Sequence, residues 1–167
     1  NYCFNSLPEL KSLKIPSTVR SIGKNAFSTA GLKTIEIPEG ITTLNDRTFY
    51  MNKSLESVKL PKSITSIGNY VFKGCTSLKT IEIPENVTSM GQEVFTNCTS
   101  IEKVTIYSKN IVLGEDIFNS ANSDMVLCGY KGSTVETYAT ENSIKFEAIQ
   151  DTQVAKVSFD ADNGEDI

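Results

Sequence analysis

Apolar side chains return along this chain at one long, fixed period. Leu10-x-x-Leu13-x-Ile15-Pro16 comes back as Leu32-x-x-Ile35-x-Ile37-Pro38, Leu55-x-x-Val58-x-Leu60-Pro61, Leu78-x-x-Ile81-x-Ile83-Pro84 and Ile101-x-x-Val104-x-Ile106-Tyr107, with anchors 22, 23, 23 and 23 residues apart. Within each anchor the period is two, so Ile35 and Ile37 enter one face of a short strand while Thr34 and Glu36 leave by the other. Strands are therefore expected at 13–15, 35–37, 58–60, 81–83 and 104–106. A unit of this length cannot bury its own apolar face; stacked copies share one core, which makes the chain a solenoid with parallel strands. Proline cannot donate to a ladder, so it closes each strand.

The columns continue past the proline. Counting from it, aliphatic residues fall at +3 (Val19, Ile41, Ile64, Val87) and +6 (Ile22, Leu44, Ile67, Met90, Leu113), and phenylalanine at +11 (Phe27, Phe49, Phe72, Phe95, Phe118). So short a return leaves little room for a helix. Extended pieces and 3₁₀ turns are expected on the convex side. The +7 column reads Gly23, Asn45, Gly68, Gly91, Gly114, the residue types that enter left-handed geometry most cheaply, so a positive φ is expected there. Near the end the pattern breaks: Tyr107 replaces the proline, Asn110 the +3 aliphatic and Asp124 the next anchor leucine. Ser133-x-x-Glu136 then reads as a capping box, Val135, Tyr138 and Ala139 have helical spacing, and 144–149 alternates as a strand. A helix and strand that close the last layer are expected.

The unit L-K-x-I-x-I-P-x-x-V-x-x-I-G-x-x-x-F-x-x-C-x-S-L, clearest from Leu78 to Ile101, resembles the BspA-like leucine-rich repeat family, and the likeness covers about residues 1–149. It implies a mostly β, α/β-type leucine-rich solenoid with a parallel concave sheet, a bacterial surface protein, and adhesion. The expected division is repeats over 1–128, a C-terminal cap over 129–149, and an acidic linker or start of a further domain over 150–167. Cys3 to Leu7 matches the second half of a repeat, so further repeats or a cap are expected before residue 1. Residues 154–159 resemble the first strand of the small β-repeats that follow leucine-rich regions in internalin-type surface proteins.

Charge separates the solenoid from the tail. Residues 1–149 hold fifteen acidic and fifteen basic side chains, so the net charge of −4 lies beyond them. A neutral solenoid lacks the clustered Lys and Arg of a nucleic-acid binder, and no apolar run reaches membrane-spanning length. There is no histidine, which removes the usual general base and the imidazole partner of a Ser or Cys nucleophile. Neither catalysis nor a metal or other cofactor is expected. Cys75 and Cys98 share a column with Leu7, Asn52 and Ala121, Cys3 stands in that of Ala26, Val71 and Val94, and Cys128 lies in the capping strand; these are positions of buried thiols rather than a disulfide framework. The acidic run 160–166 places Gly164 fifth, where a calcium loop needs glycine sixth. The sequons at Asn52, Asn86 and Asn97 are read as chance matches in Ser/Thr-rich sequence.

What remains is surface. The outward strand columns read Ser12, Thr34, Ser57, Thr80, Lys103 and Lys14, Glu36, Lys59, Glu82, Thr105, the second alternating in sign as a cross-strand ladder would. The candidate partner-binding residues are Thr34, Glu36, Ser57, Lys59, Thr80, Glu82, Lys103, Thr105 and Tyr107, with Tyr107 expected to be the only outward strand aromatic and so the anchor. The expected function is a secreted or cell-surface module that binds a protein or glycan; the alternative is a structural spacer that displays a neighbouring domain. Self-association through the N-terminal edge strand is also expected, because a strand at the end of a ladder offers unpaired backbone groups.

Overall fold

A computed structural model describes residues 3–150; the tail strand and acidic run expected over 154–166 lie outside them. The elements in order are β1 (Thr34–Glu36), β2 (Thr43–Leu44), β3 (Ser57–Lys59), β4 (Ser66–Ile67), β5 (Thr80–Ile83), β6 (Ser89–Met90), β7 (Lys103–Ile106), β8 (Val112–Leu113), β9 (Val126–Tyr130), α1 (Thr134–Glu141) and β10 (Lys145–Ile149). Every paired strand is parallel to its neighbour. The odd-numbered strands together with β10 form the concave side, as β1–β3 and as β5–β7–β9–β10, and the two-residue strands form a second sheet in the order β2–β4–β6–β8.

A third ladder runs along the turns, where the earlier repeat donates to the later one: Asn25, Phe27 and Thr29 N–H to the carbonyls of Asp46, Thr48 and Tyr50 at 3.1, 2.9 and 2.8 Å, and likewise onward. Three ladders satisfy a backbone that has almost no helix to do so. Between them lies one continuous apolar core, and the strands' period-two pattern appears directly as exposed–buried–exposed in β1 and β3. Phe4, Phe27, Phe49, Phe72, Phe95 and Phe118 form an offset-stacked file with ring centroids 5.4–5.6 Å apart, and Tyr138 of α1 closes it edge-on at 6.1 Å. That geometry suits aromatic quadrupoles.

The cap forms as the spacing requires. Ser133 Oγ accepts from Glu136 N–H at 3.3 Å, and the Glu136 carboxylate reaches one residue further back than in the usual box, to Gly132 N–H at 2.6 Å. Val135 and Ala139 are buried against the last layer. Thr134 stitches α1 to the edge of the second sheet through its N–H to Lys109 O at 3.1 Å and its hydroxyl to Ile111 O at 2.8 Å.

Several expectations need correction. The +7 glycines are not left-handed; Gly68, Gly91 and Gly114 are needed because successive coils touch there. A Cβ on Gly91 would lie 2.8 Å from Asn69 N and from Gly68 C, and one on Gly114 would lie 2.6 Å from Gly91 C. The left-handed positions are instead +9 (Asn25, Arg47, Tyr70, Glu93, Asp116) and +13 (Thr29, Met51, Gly74, Asn97, Ser120), with φ of 52–59° at the nine non-glycine residues and 75° at Gly74. Residues 13–15 do not form a ladder strand. The step into β1 is one residue shorter than the others; Gly31 N–H to Leu7 O and Lys33 N–H to Lys11 O hold the segment, and Leu10, Leu13 and Ile15 pack on the core from outside the sheet. The edge strand expected to promote self-association is therefore absent from this end. Cys3 is exposed rather than buried.

Candidate functional site

The concave strands hold the expected residues on one face. Thr34 is in register with Ser57 and Thr80 with Lys103 along one outward column, and Glu36 with Lys59 and Glu82 with Thr105 along the next. Thr34, Glu36, Ser57, Lys59, Thr80, Glu82 and Lys103 are exposed. Thr105 is not: it is buried at 7 %, because β9 lies beside it with Cys128 in register and bulky side chains flank that row. Tyr107 is half-buried.

Of the alternating charge ladder, one rung closes within the row: Lys59 Nζ donates to Glu36 Oε1 at 2.6 Å, and that bond raises the lysine pKa. Lys103 is drawn to Glu147 of β10 at 3.8 Å, which Lys145 also meets at 3.3 Å. Glu82 has no ion-pair partner among the described residues.

These strands floor a groove of about 880 Å³ that crosses from β3 to the cap. Ser57, Lys59, Lys62, Thr80, Glu82, Glu85, Lys103, Thr105 and Tyr107 line it, together with the half-buried apolar groups Leu60, Pro84, Tyr130 and Ile149. β3 and β5 lie side by side beneath it without a paired register. Burial raises the Tyr107 pKa, with the Glu82 carboxylate adding to the effect; the phenol is the protonated, donating form at neutral pH.

Tyr130 was the missed residue. Tyr107 is therefore not the sole outward aromatic: the row that begins as Pro61 and Pro84 continues through Tyr107, Tyr130 and Ile149. The signal was present, because Val104 to Leu127 and Tyr107 to Tyr130 keep the 23-residue step although the leucine anchor has lapsed. Elsewhere the thiols are structural: Cys75 and Cys98 Sγ donate to Phe49 O and Phe72 O at 3.2 and 3.1 Å, and no group of three or more metal-ligating side chains gathers among the described residues. No helix among them is long and apolar enough to cross a membrane.

A family model described as the BspA type leucine-rich repeat region matches residues 1–124 in six copies. The chain belongs to that family. The matched span includes the half-repeat around Cys3 to Leu7, ahead of the five anchors. Among solved structures, the pneumococcal vaccine antigen PcpA is similar at a TM-score of 0.64 and 19 % identity, over 84 % of this chain and 42 % of that one. The Treponema pallidum leucine-rich repeat protein is similar at 0.53 and 26 %, over 70 % and 51 %, and a Bacteroides ovatus leucine-rich repeat protein at 0.49 and 23 %, over 83 % and 49 %. The chain spans about half the length of these proteins or less. No curated protein matches it. BspA-type repeats are a framework commonly used for protein interaction.

Proposed function

We propose that this chain is a non-catalytic interaction module of a bacterial surface or secreted protein, and that it binds a protein partner through the groove at the C-terminal end of the concave sheet. The observation that carries the reading is the pair Tyr107 and Tyr130, half-exposed at the ends of the adjacent parallel strands β7 and β9 and walled by charged side chains. Tyrosine supplies a large contact area at small entropic cost, and such residues dominate interface energetics. The surface assignment draws on the family and on the similarity to a protein named as a pneumococcal vaccine antigen; a vaccine antigen is one that antibodies reach.

An array of host proteins and glycans, probed with the full chain and with Tyr107→Ala/Tyr130→Ala, tests this. Protein spots bound by the parent should weaken about tenfold or more with the double variant. Binding confined to glycan spots would make the ligand a carbohydrate, and protein binding untouched by the variant would move the site to the turns.

A further inference from the structure

The charges around this groove do not balance within the chain. Two outward columns flank the proline column and both alternate, as Glu36, Lys59, Glu82 and as Glu39, Lys62, Glu85. The lower carboxylates are engaged, one by an ion pair and one by backbone N–H groups. Lys59 bonds Glu36 at 2.6 Å. Glu39 accepts the N–H groups of Lys62 and Ser63 at 3.0 and 3.2 Å, and those bonds, with the Lys62 ammonium, hold its carboxyl below the ordinary range. The upper rungs are open. Where the alternation requires two further lysines, the next layer supplies Thr105 and Ser108, both buried. Lys103 does not substitute, since it turns toward Glu147.

Glu82 and Glu85 are thus two exposed carboxylates from one turn of the solenoid, with no ion-pair partner among the described residues, and both line the groove. Tyr107 is the next outward position beside them, close enough for the Glu82 charge to act on its phenol.

Resting on the groove reading above, we propose that the partner presents a basic segment whose Arg or Lys side chain enters between Glu82 and Glu85 and lies along the Tyr107 ring. The cation then takes the place of the lysine that the repeat pattern withholds. A guanidinium suits this best, because it can fork to carboxylates and stack on an aromatic face at once. Tyr130 and Ile149 extend the apolar floor for the residues flanking it.

The full chain, immobilised, is panned against a displayed library of random linear peptides, and the selected peptides are synthesised and titrated. They should be rich in Arg or Lys beside apolar residues. Their affinity should fall about tenfold or more with Glu82→Gln/Glu85→Gln and fall again with added salt, while the thermal midpoint stays at the parent value. Glu82→Lys should regain affinity for the same peptide carrying Glu in place of its basic residue. Selected peptides without basic residues, still sensitive to Tyr107→Ala, would overturn the cation and leave the groove standing. Peptides indifferent to both tyrosine and glutamate variants, or no selected peptide at all, would overturn the groove reading with it.

Discussion

Asn52 shows how one side chain departs from its column. The same position is Cys75 and Cys98 in the next repeats, where each thiol bonds the phenylalanine carbonyl of the repeat before. Asn52 does so with Nδ2, to Phe27 O at 3.2 Å, but its Oδ1 is buried without a partner. A buried unsatisfied acceptor costs about 1–3 kcal/mol. Asn52→Cys should therefore raise stability by about 1 kcal/mol, read from the denaturant midpoint; a loss would mean that Oδ1 has found a partner in solution. Full burial also makes the Asn52 sequon inaccessible in the folded chain. The thiols carry a pH signature. Burial pushes Cys98 up to about 12 and Cys75 in the same direction, whereas an unfolded thiol ionises near pH 9. The fold keeps the proton that the unfolded chain gives up, so this stability is intact below pH 9 and is lost as the pH rises toward 12, by about 1.4 kcal/mol per pH unit for Cys98, with Cys75 acting in the same direction. Urea unfolding of parent and Cys98→Ala between pH 8 and about 10.5 checks it: the variant should have the shallower decline, and equal slopes would show that Cys98 titrates alike in both states.

At the scale of the element, close approach between coils sets the tolerance. Alanine at an ordinary exposed glycine often stabilises. At Gly91 a Cβ would meet backbone atoms of the preceding coil at 2.8 Å, and Gly91→Ala should cost about 2 kcal/mol or more because two fixed ladders would have to part. A neutral thermal midpoint would show that the coils can slide. This column also marks where sequence reading runs out. Gly68, Gly91 and Gly114 look alike whether the cause is a positive φ or the lack of space, and the true left-handed residues, among them Arg47, Tyr70 and Glu93, are types that no turn rule selects. Cross-repeat bonds enforce their geometry. Tyr70 is gripped by the Lys73 ammonium of its own coil at 5.4 Å, by the Arg47 guanidinium 4.8 Å above its ring and by Gln92 at its hydroxyl, and the last two are contacts that only stacking creates. The apolar columns, by contrast, were legible because burial is shared by every copy. Ile35, Val58, Ile81 and Val104 all lie inward as their spacing demands. The candidate face was legible for the same reason, since outward residues are those the core leaves over. Thr105 and Tyr130 escaped because their surroundings come from β9, beyond the last recognisable anchor. The second sheet escaped because two-residue strands such as Thr43–Leu44 have no pattern of their own.

For the molecule as a whole, a stack in which each layer touches only its neighbours is predicted to lose structure from its ends. The two ends described here are unlike. At the first turn, Leu10, Leu13 and Ile15 are partly buried and outside any sheet, whereas at the last, β9 and β10 pair over five positions and α1 seals the phenylalanine file. Native-state hydrogen exchange should therefore find Lys33 N–H, bonded to Lys11 O, opening at far lower free energy than the amides of β5, β7 and β9. Breaking the seal should reverse the order. Val135 of α1 is fully buried, with Gly129 of β9 against it, so Val135→Asp places an unpaired carboxylate in the last apolar layer. Protection should then collapse first in β9 and β10 and next in β7, while β1 and β3 keep their parent values. Equal loss in every strand would mean that the repeats unfold as one unit, and that the cap stabilises the first layer as much as the last.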